Sequence, residues 1–377
     1  MSGIVAFCSS IHTAAIAAVA ADFRCSATVS TLGVTTFLLG FASGPLLFSP
    51  LSEVYGRNPA YRGTFLLFVT SNVGCALSPN LAALLVFRFL SGFFGAPTSG
   101  GNLGSMLRTS LTRPLVMFVT EPILFLLSLY MAFVFGILYL DFTAYPFVFV
   151  ETRRWGADMA SLPFLGIALG MALATAASPF LNRIYSHYLA KWSDDTAAPA
   201  PAPAPAPAPC PEAHLPHLVA LAWLIPLGLF WFAWTATTAS TASTATSAST
   251  AAASRAAAAA APVHWASCVA AGAPFGAGLV ALFLGITAYL IDCYGVHAAS
   301  ALAAAAVLRS LFGAAFPLFA RRMYDALGPA WATSVLGGVA VLMAPLPYVF
   351  CRFGPRIRAR SRFHQRTLLE EETGEEV

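Results

Sequence analysis

Stretches of about 20 consecutive, nearly uncharged residues recur along this chain, and that is the length a helix needs to cross a bilayer core about 30 Å thick. Ten segments meet the requirement: Ile4 to Ala21, Leu32 to Leu51, Tyr61 to Leu77, Leu81 to Gly100, Leu115 to Leu140, Met159 to Leu181, Leu218 to Thr235, Ala266 to Leu290, Ala298 to Ala320 and Ala330 to Phe350. Inside hydrocarbon a segment must satisfy its own backbone N–H and C=O groups, so each is read as a helix. The expected fold class is therefore an all-α polytopic membrane protein. Composition agrees: 58% of the 377 residues are hydrophobic and 10% are charged, whereas soluble domains carry about 25% charged residues.

The distribution of Arg and Lys sets the orientation. With the N-terminus in the cytosol, twelve of the 20 basic residues fall inside, six outside, and two, Arg88 and Arg309, within spans. Both termini are expected to face the cytosol. The start "MSGIVAFCSSIH" has no positively charged region, so the first span is expected to stay attached. The seven cysteines form no C-x-x-C pair and no metal-ligand spacing, and no metal or cofactor site is expected. Two connections are of low complexity: 194–214, alternating Ala and Pro, and 235–262, rich in Ser, Thr and Ala. The fifth span is long, and "MAFVFGILYLDFTAYPFVF" implies a tilted or broken end near Gly136.

Ionisable residues inside a membrane are costly and are functional candidates by default. Arg88 lies about seven residues into the fourth span, roughly 10 Å deep at 1.5 Å per residue. Arg309 lies near the middle of the ninth. Each is either part of a transport path or a structural Arg bonded to the carbonyls of a neighbouring helix. Glu121, followed by Pro122, which removes a backbone donor, either exchanges a proton in lipid surroundings, reaches the interface, or pairs with Arg113. Asp141 and Asp292 are secondary candidates, placed at span ends where the interface accommodates charge. The aromatics Tyr130, Phe133, Phe135, Tyr139, Trp223, Trp231 and Trp234 line a path for flat apolar cargo or else pack in the core and at the interface.

The connection "SPLSEVYGRN" concentrates charge between the second and third spans. The spacing Leu51, Glu53, Gly56, Arg57 resembles the loop motif of the major facilitator superfamily, and "GPLLFSPLSEVYGRNP" is similar to its fungal drug:proton antiporter branch. "LLVFRFLSGFFGAP" (84–97) resembles that branch's fourth-helix motif. Residues 112–146 resemble its seventh helix and 289–319 its tenth to eleventh. The resemblance covers about four-fifths of the chain. It implies a helical bundle working by alternating access, the proton gradient as energy source without a cofactor, and Arg88 as a participant in proton coupling. It also implies that Glu53 faces the start of the ninth span, near Ala299 and Ser300, where unpaired N–H groups favour a negative charge.

One departure stands out. The family has twelve spans in two halves, whereas this chain runs from "GAPTSGGNLG" directly into "SMLRTSLTRPL", as though helices five and six were absent. The expected organisation is an incomplete N-terminal half, 1–104, a cytosolic junction, 105–114, a six-helix half, 115–351, and a cytosolic tail, 352–377. The expected function is proton-coupled export of small organic compounds, with plasma membrane or vacuolar membrane as the location. The alternatives are a transport-inactive ten-span remnant, an incomplete gene model, or a regulatory membrane protein. Expected partners are the lipid bilayer and a small organic substrate. No basic surface with interleaved aromatics points to nucleic acid. Enzyme signatures are lacking too: there is no H-E-x-x-H, phosphate loop or G-x-S-x-G, and the H-x-x-H of His214 and His217 lacks supporting ligands.

Overall fold

The computed structural model describes residues 12, 15, 16, 18–54, 57–95, 116–152, 162–196, 211, 215–244 and 264–358. Among these residues all the regular structure is helical, joined by short turns, with no strand. In chain order the helices are α1 (Ala27–Val54), α2 (Arg57–Ala76), α3 (Leu81–Gly95), α4 (Pro122–Pro146), α5 (Phe164–Thr196), α6 (Leu215–Leu221), α7 (Leu224–Thr244), α8 (Trp265–Tyr294), α9 (Ala298–Met343) and α10 (Leu346–Arg358). A π-helical turn, Phe147–Thr152, extends α4, and a 3₁₀ turn, Gly295–His297, joins α8 to α9.

Stretches 122–150, 218–236, 265–294 and 300–354 are long and apolar enough to cross a bilayer, and 28–44, 81–95 and 164–180 are shorter apolar helices. The 46 residues of α9 cover the ninth span of the sequence and the start of the tenth. Its break is Gly328, at φ 75° and ψ 163°, a conformation open to glycine alone. Pro329 follows, at a position where its missing donor costs nothing.

Two expectations from the sequence need correction. The fifth span does not end at Leu140: the helix continues through Pro146 and the π turn to Thr152. Nor is it broken at Gly136, which instead packs against Phe316, whose ring carbon Cδ2 lies 2.8 Å from where a Cβ would sit. The connection after the ninth span is helical up to Gly328, and Arg321 on it meets Asp325 one turn later at 3.8 Å. Both of those side chains are about half exposed, and such a pair contributes little.

The chain folds as two compact units, 1–144 with 299–325 and 145–298 with 326–377. Each thus joins segments distant in sequence.

In the first unit α1 is the hub. It packs most extensively on α3, where Gly40 and Gly92 bring the backbones together. The carbonyl of Phe89 lies where a Cβ on Gly40 would go, and that of Phe37 where one on Gly92 would go. In lipid, where the hydrophobic drive between helices vanishes, close approach through small residues is what makes such packing favourable. Phe37 and Phe68 are buried together beneath Phe41, Phe65 and Phe94. On its other side α1 places Val34 and Leu38 against Tyr139 of α4 and Ala314 of α9, and Thr35 Oγ1 donates to the Ala314 carbonyl at 2.9 Å.

The second unit uses the same device. Gly166 and Gly170 of α5 meet the carbonyls of Val269 and Ala273 on α8, and Gly276 of α8 meets that of Ile167. Tyr145 stacks on Phe164 (5.1 Å between ring centres) and tilts against Phe232 (4.7 Å). Gly295, at φ 41°, ends α8 and donates its N–H to the Ile291 carbonyl.

Candidate functional site: buried charges in the first unit

The first unit buries more ionisable side chains than packing alone requires. Arg88 on α3 is 8% exposed, and Glu121 and Asp141 are each 2% exposed. So is His12, from the first span. Groups of this kind are tolerated in lipid only when the protein supplies partners, and they mark ion or substrate paths.

His12 is held in a defined setting. Its Nε2 lies 3.3 Å from the Ser30 carbonyl on α1, and Ser30 Oγ in turn donates to the Ile16 carbonyl at 3.0 Å. A Cβ on Gly33 would run into the imidazole ring, so glycine at that position is what admits the histidine. The Arg88 guanidinium is within electrostatic reach of it.

The second feature is an aromatic wall with a cation on it. The guanidinium carbon of Arg309 sits 5.3 Å from the centre of the Phe135 ring. Phe135 tilts against Tyr139 (4.8 Å), and Tyr139 meets Phe142 edge to face (5.3 Å). An Arg over an aromatic face is attracted by the ring quadrupole, and more strongly where water is excluded. Gly313, one turn beyond Arg309, keeps the two helices close: a Cβ there would stand 3.0 Å from the Phe135 ring. Phe316 then interlocks with Phe133 (5.8 Å).

The family profile for the Major Facilitator Superfamily matches residues 1–108. A major facilitator superfamily multidrug transporter of Aspergillus fumigatus is 33% identical over 95% of this chain and 70% of its own length. The chain belongs to the major facilitator superfamily. An MFS-type efflux pump of Trichophyton rubrum is 32% identical over 95% of the chain and 71% of its own. An MFS transporter of a citrinin biosynthesis cluster in Monascus ruber is 30% identical over 95% and 85%. Helical and strand-free among the described residues, with long apolar helices, the structure is that of an integral membrane protein. As a member of this superfamily the chain is a transporter and not an enzyme.

Within this superfamily member the residues singled out in the sequence are distributed unevenly. Arg88, Glu121, Tyr130, Tyr139, Asp141 and Arg309 all fall in the first unit. Glu121 stands between helical residues 116–120 and α4. Its N–H reaches the Met117 carbonyl (2.9 Å) and its carbonyl receives the Phe125 N–H (3.0 Å), so Pro122 interrupts a single donor without bending the ladder apart. Tyr130, Val134, Ile137 and Asp141 repeat at helical spacing along α4, each at most 2% exposed. Asp141 is buried within the unit, and the helix runs on beyond it to Thr152. Asp292 lies inside the last turns of α8, half-buried, in the second unit.

The loop motif is only partly visible. Leu51 and Glu53 belong to the end of α1 and Arg57 opens α2, while Gly56 lies outside the described residues. The junction 105–114, most of both low-complexity connections and the tail beyond Arg358 also lie outside them. Trp223, Trp231 and Trp234 are 42–62% exposed on the second unit, placed to meet lipid. Among the described residues no group of three His, Cys, Asp or Glu side chains comes together for a metal ion. Sequence reasoning passed over His12. Its signal was available in "SSIHTAAIAAVA", an ionisable side chain near the middle of an apolar span.

Proposed function

We propose that this chain is a proton-coupled exporter of small organic compounds that works by alternating access in the plasma membrane or the vacuolar membrane. The observation that carries the reading is the gathering of Arg88, Glu121, Asp141 and Arg309 inside one unit, the last of them on an aromatic wall. A proton path needs ionisable groups at membrane depth, and a flat organic molecule needs rings to lie against. The names of relatives agree with export, since they include a multidrug transporter and an efflux pump. Glu53 acts in this reading as the inner latch against the start of α9. The test is efflux of a fluorescent dye such as rhodamine 6G from cells expressing the full chain. Export that collapses on adding a protonophore supports the reading, and no gain over cells carrying empty vector overturns it.

A second reading, a transport-inactive ten-span form, is favoured by one observation. The family profile stops at residue 108, in the junction where helices five and six are expected. The 461-residue alignment with the Aspergillus relative is longer than this chain, so that relative carries residues without a counterpart here. Sequencing the transcript across Asn102 to Leu111 separates the cases. A long insertion there restores twelve spans, and its absence makes the ten-span form real.

A further inference from the structure

We propose that His12 is a proton-carrying residue of this transporter, taking up and releasing its proton at Nδ1 while Nε2 stays bonded to the Ser30 carbonyl. The proposal rests on the proton-coupled reading and names a residue for it.

The chemistry follows from the setting. A carbonyl oxygen only accepts, so the Nε2 atom 3.3 Å from Ser30 O carries a hydrogen. In the neutral ring that leaves Nδ1 as the basic nitrogen. Uptake of one proton at Nδ1 gives an imidazolium with both nitrogens as donors, and loss of that same proton restores the starting tautomer. The Ser30 hydrogen bond survives both steps, so the ring works from a fixed position and no tautomer exchange is needed. Imidazole is the side chain whose ordinary titration lies closest to neutral pH, and the free energy of a proton on it is set by what surrounds the ring.

The ring's neighbours are specific as well. From α1 it meets the Ser30 carbonyl and the bare Cα of Gly33; from α3 it feels the guanidinium of Arg88, the charged group among the described residues that acts on it. Arg88 keeps its charge in every state. What varies is its distance, and any movement of α3 against the first span changes the free energy of a proton on His12. Ser30 Oγ, bonded to Ile16, ties the first span to α1 and keeps the acceptor in register.

The test uses the purified full chain in detergent micelles, with protons bound between pH 3 and 8 counted by potentiometric titration. Wild type is expected to bind about one proton more than H12Q, whose amide preserves the donor to Ser30 but does not titrate, and in an R88Q background the extra step is expected to move along the pH axis. Equal proton counts in wild type and H12Q overturn the proposal, and so does a step that R88Q leaves in place. Should H12Q fail to fold, H12N, which likewise lacks a titrating ring, takes its place in the comparison. In proteoliposomes loaded with rhodamine 6G, H12Q is expected to flatten the pH dependence of transport. Failure of wild type to move dye, with the extra proton still counted, defeats the transport reading and leaves the proton site standing.

Discussion

The carbonyl oxygen of Phe37 on α1 occupies the space that a Cβ on Gly92 of α3 would need. The reciprocal contact, Gly40 with the Phe89 carbonyl, lies one turn away, so this helix pair is held together by two missing methyl groups. Gly92→Ala is therefore expected to force the backbones apart and cost about 1–3 kcal/mol, the range for overpacking a tight interior. Thermal unfolding in detergent reads the loss. Gly338→Ala is the control: a Cβ there meets nothing within 4 Å, and no loss is expected.

Gly328 also has open space around it, yet its backbone is the obstacle. At φ 75° and ψ 163° any other residue is strained, at about 1–3 kcal/mol. Gly328→Ala is expected to lower the melting temperature although it creates no clash. An unchanged melting temperature would mean that the turn between the last two crossings does not need this conformation.

The contact of Arg309 with Phe135 gives a third prediction. Arg309→Lys keeps the charge but loses the planar face that stacks on the ring. A double-mutant cycle with Phe135→Leu, read by unfolding, is expected to return a coupling of about 0.5–2 kcal/mol. Additive single effects would remove the interaction from the account.

Glu53→Gln tests the inner latch. A carboxylate at a helix N-terminus contributes on the order of 1 kcal/mol, so its loss is expected to shift the two alternating states about fivefold toward the inward-open form. Accessibility of single cysteines introduced at the two faces reports the shift. Equal labelling of both faces in wild type and variant would remove Glu53 from the latch.

How much of this was legible in the sequence depended on which forces act locally. Spans announce themselves because the bilayer demands about 20 apolar residues, and apolar helices 265–294 and 300–354 cover the eighth, ninth and tenth spans of the sequence. Their ends were less legible. Asp141 reads as a terminus because charge usually marks the interface, but burial within the unit lets α4 carry it inside and continue to Thr152. Gly136 reads as a break because glycine weakens isolated helices, while its role is to seat Phe316, a partner 180 residues away in sequence. His12 was missed for a related reason: its environment is built by Ser30, Gly33 and Arg88, and no local pattern joins those four positions. Arg88 and Arg309 were found because a charge within an apolar run is visible without knowing its neighbours.

The most direct test of the account is transport by the purified chain in proteoliposomes under an imposed pH gradient, with rhodamine 6G as probe. Wild type is expected to move dye against its own gradient, and a protonophore or Arg88→Gln is expected to abolish that movement. Dye movement no greater than in protein-free vesicles, from chain shown to be inserted, would contradict it.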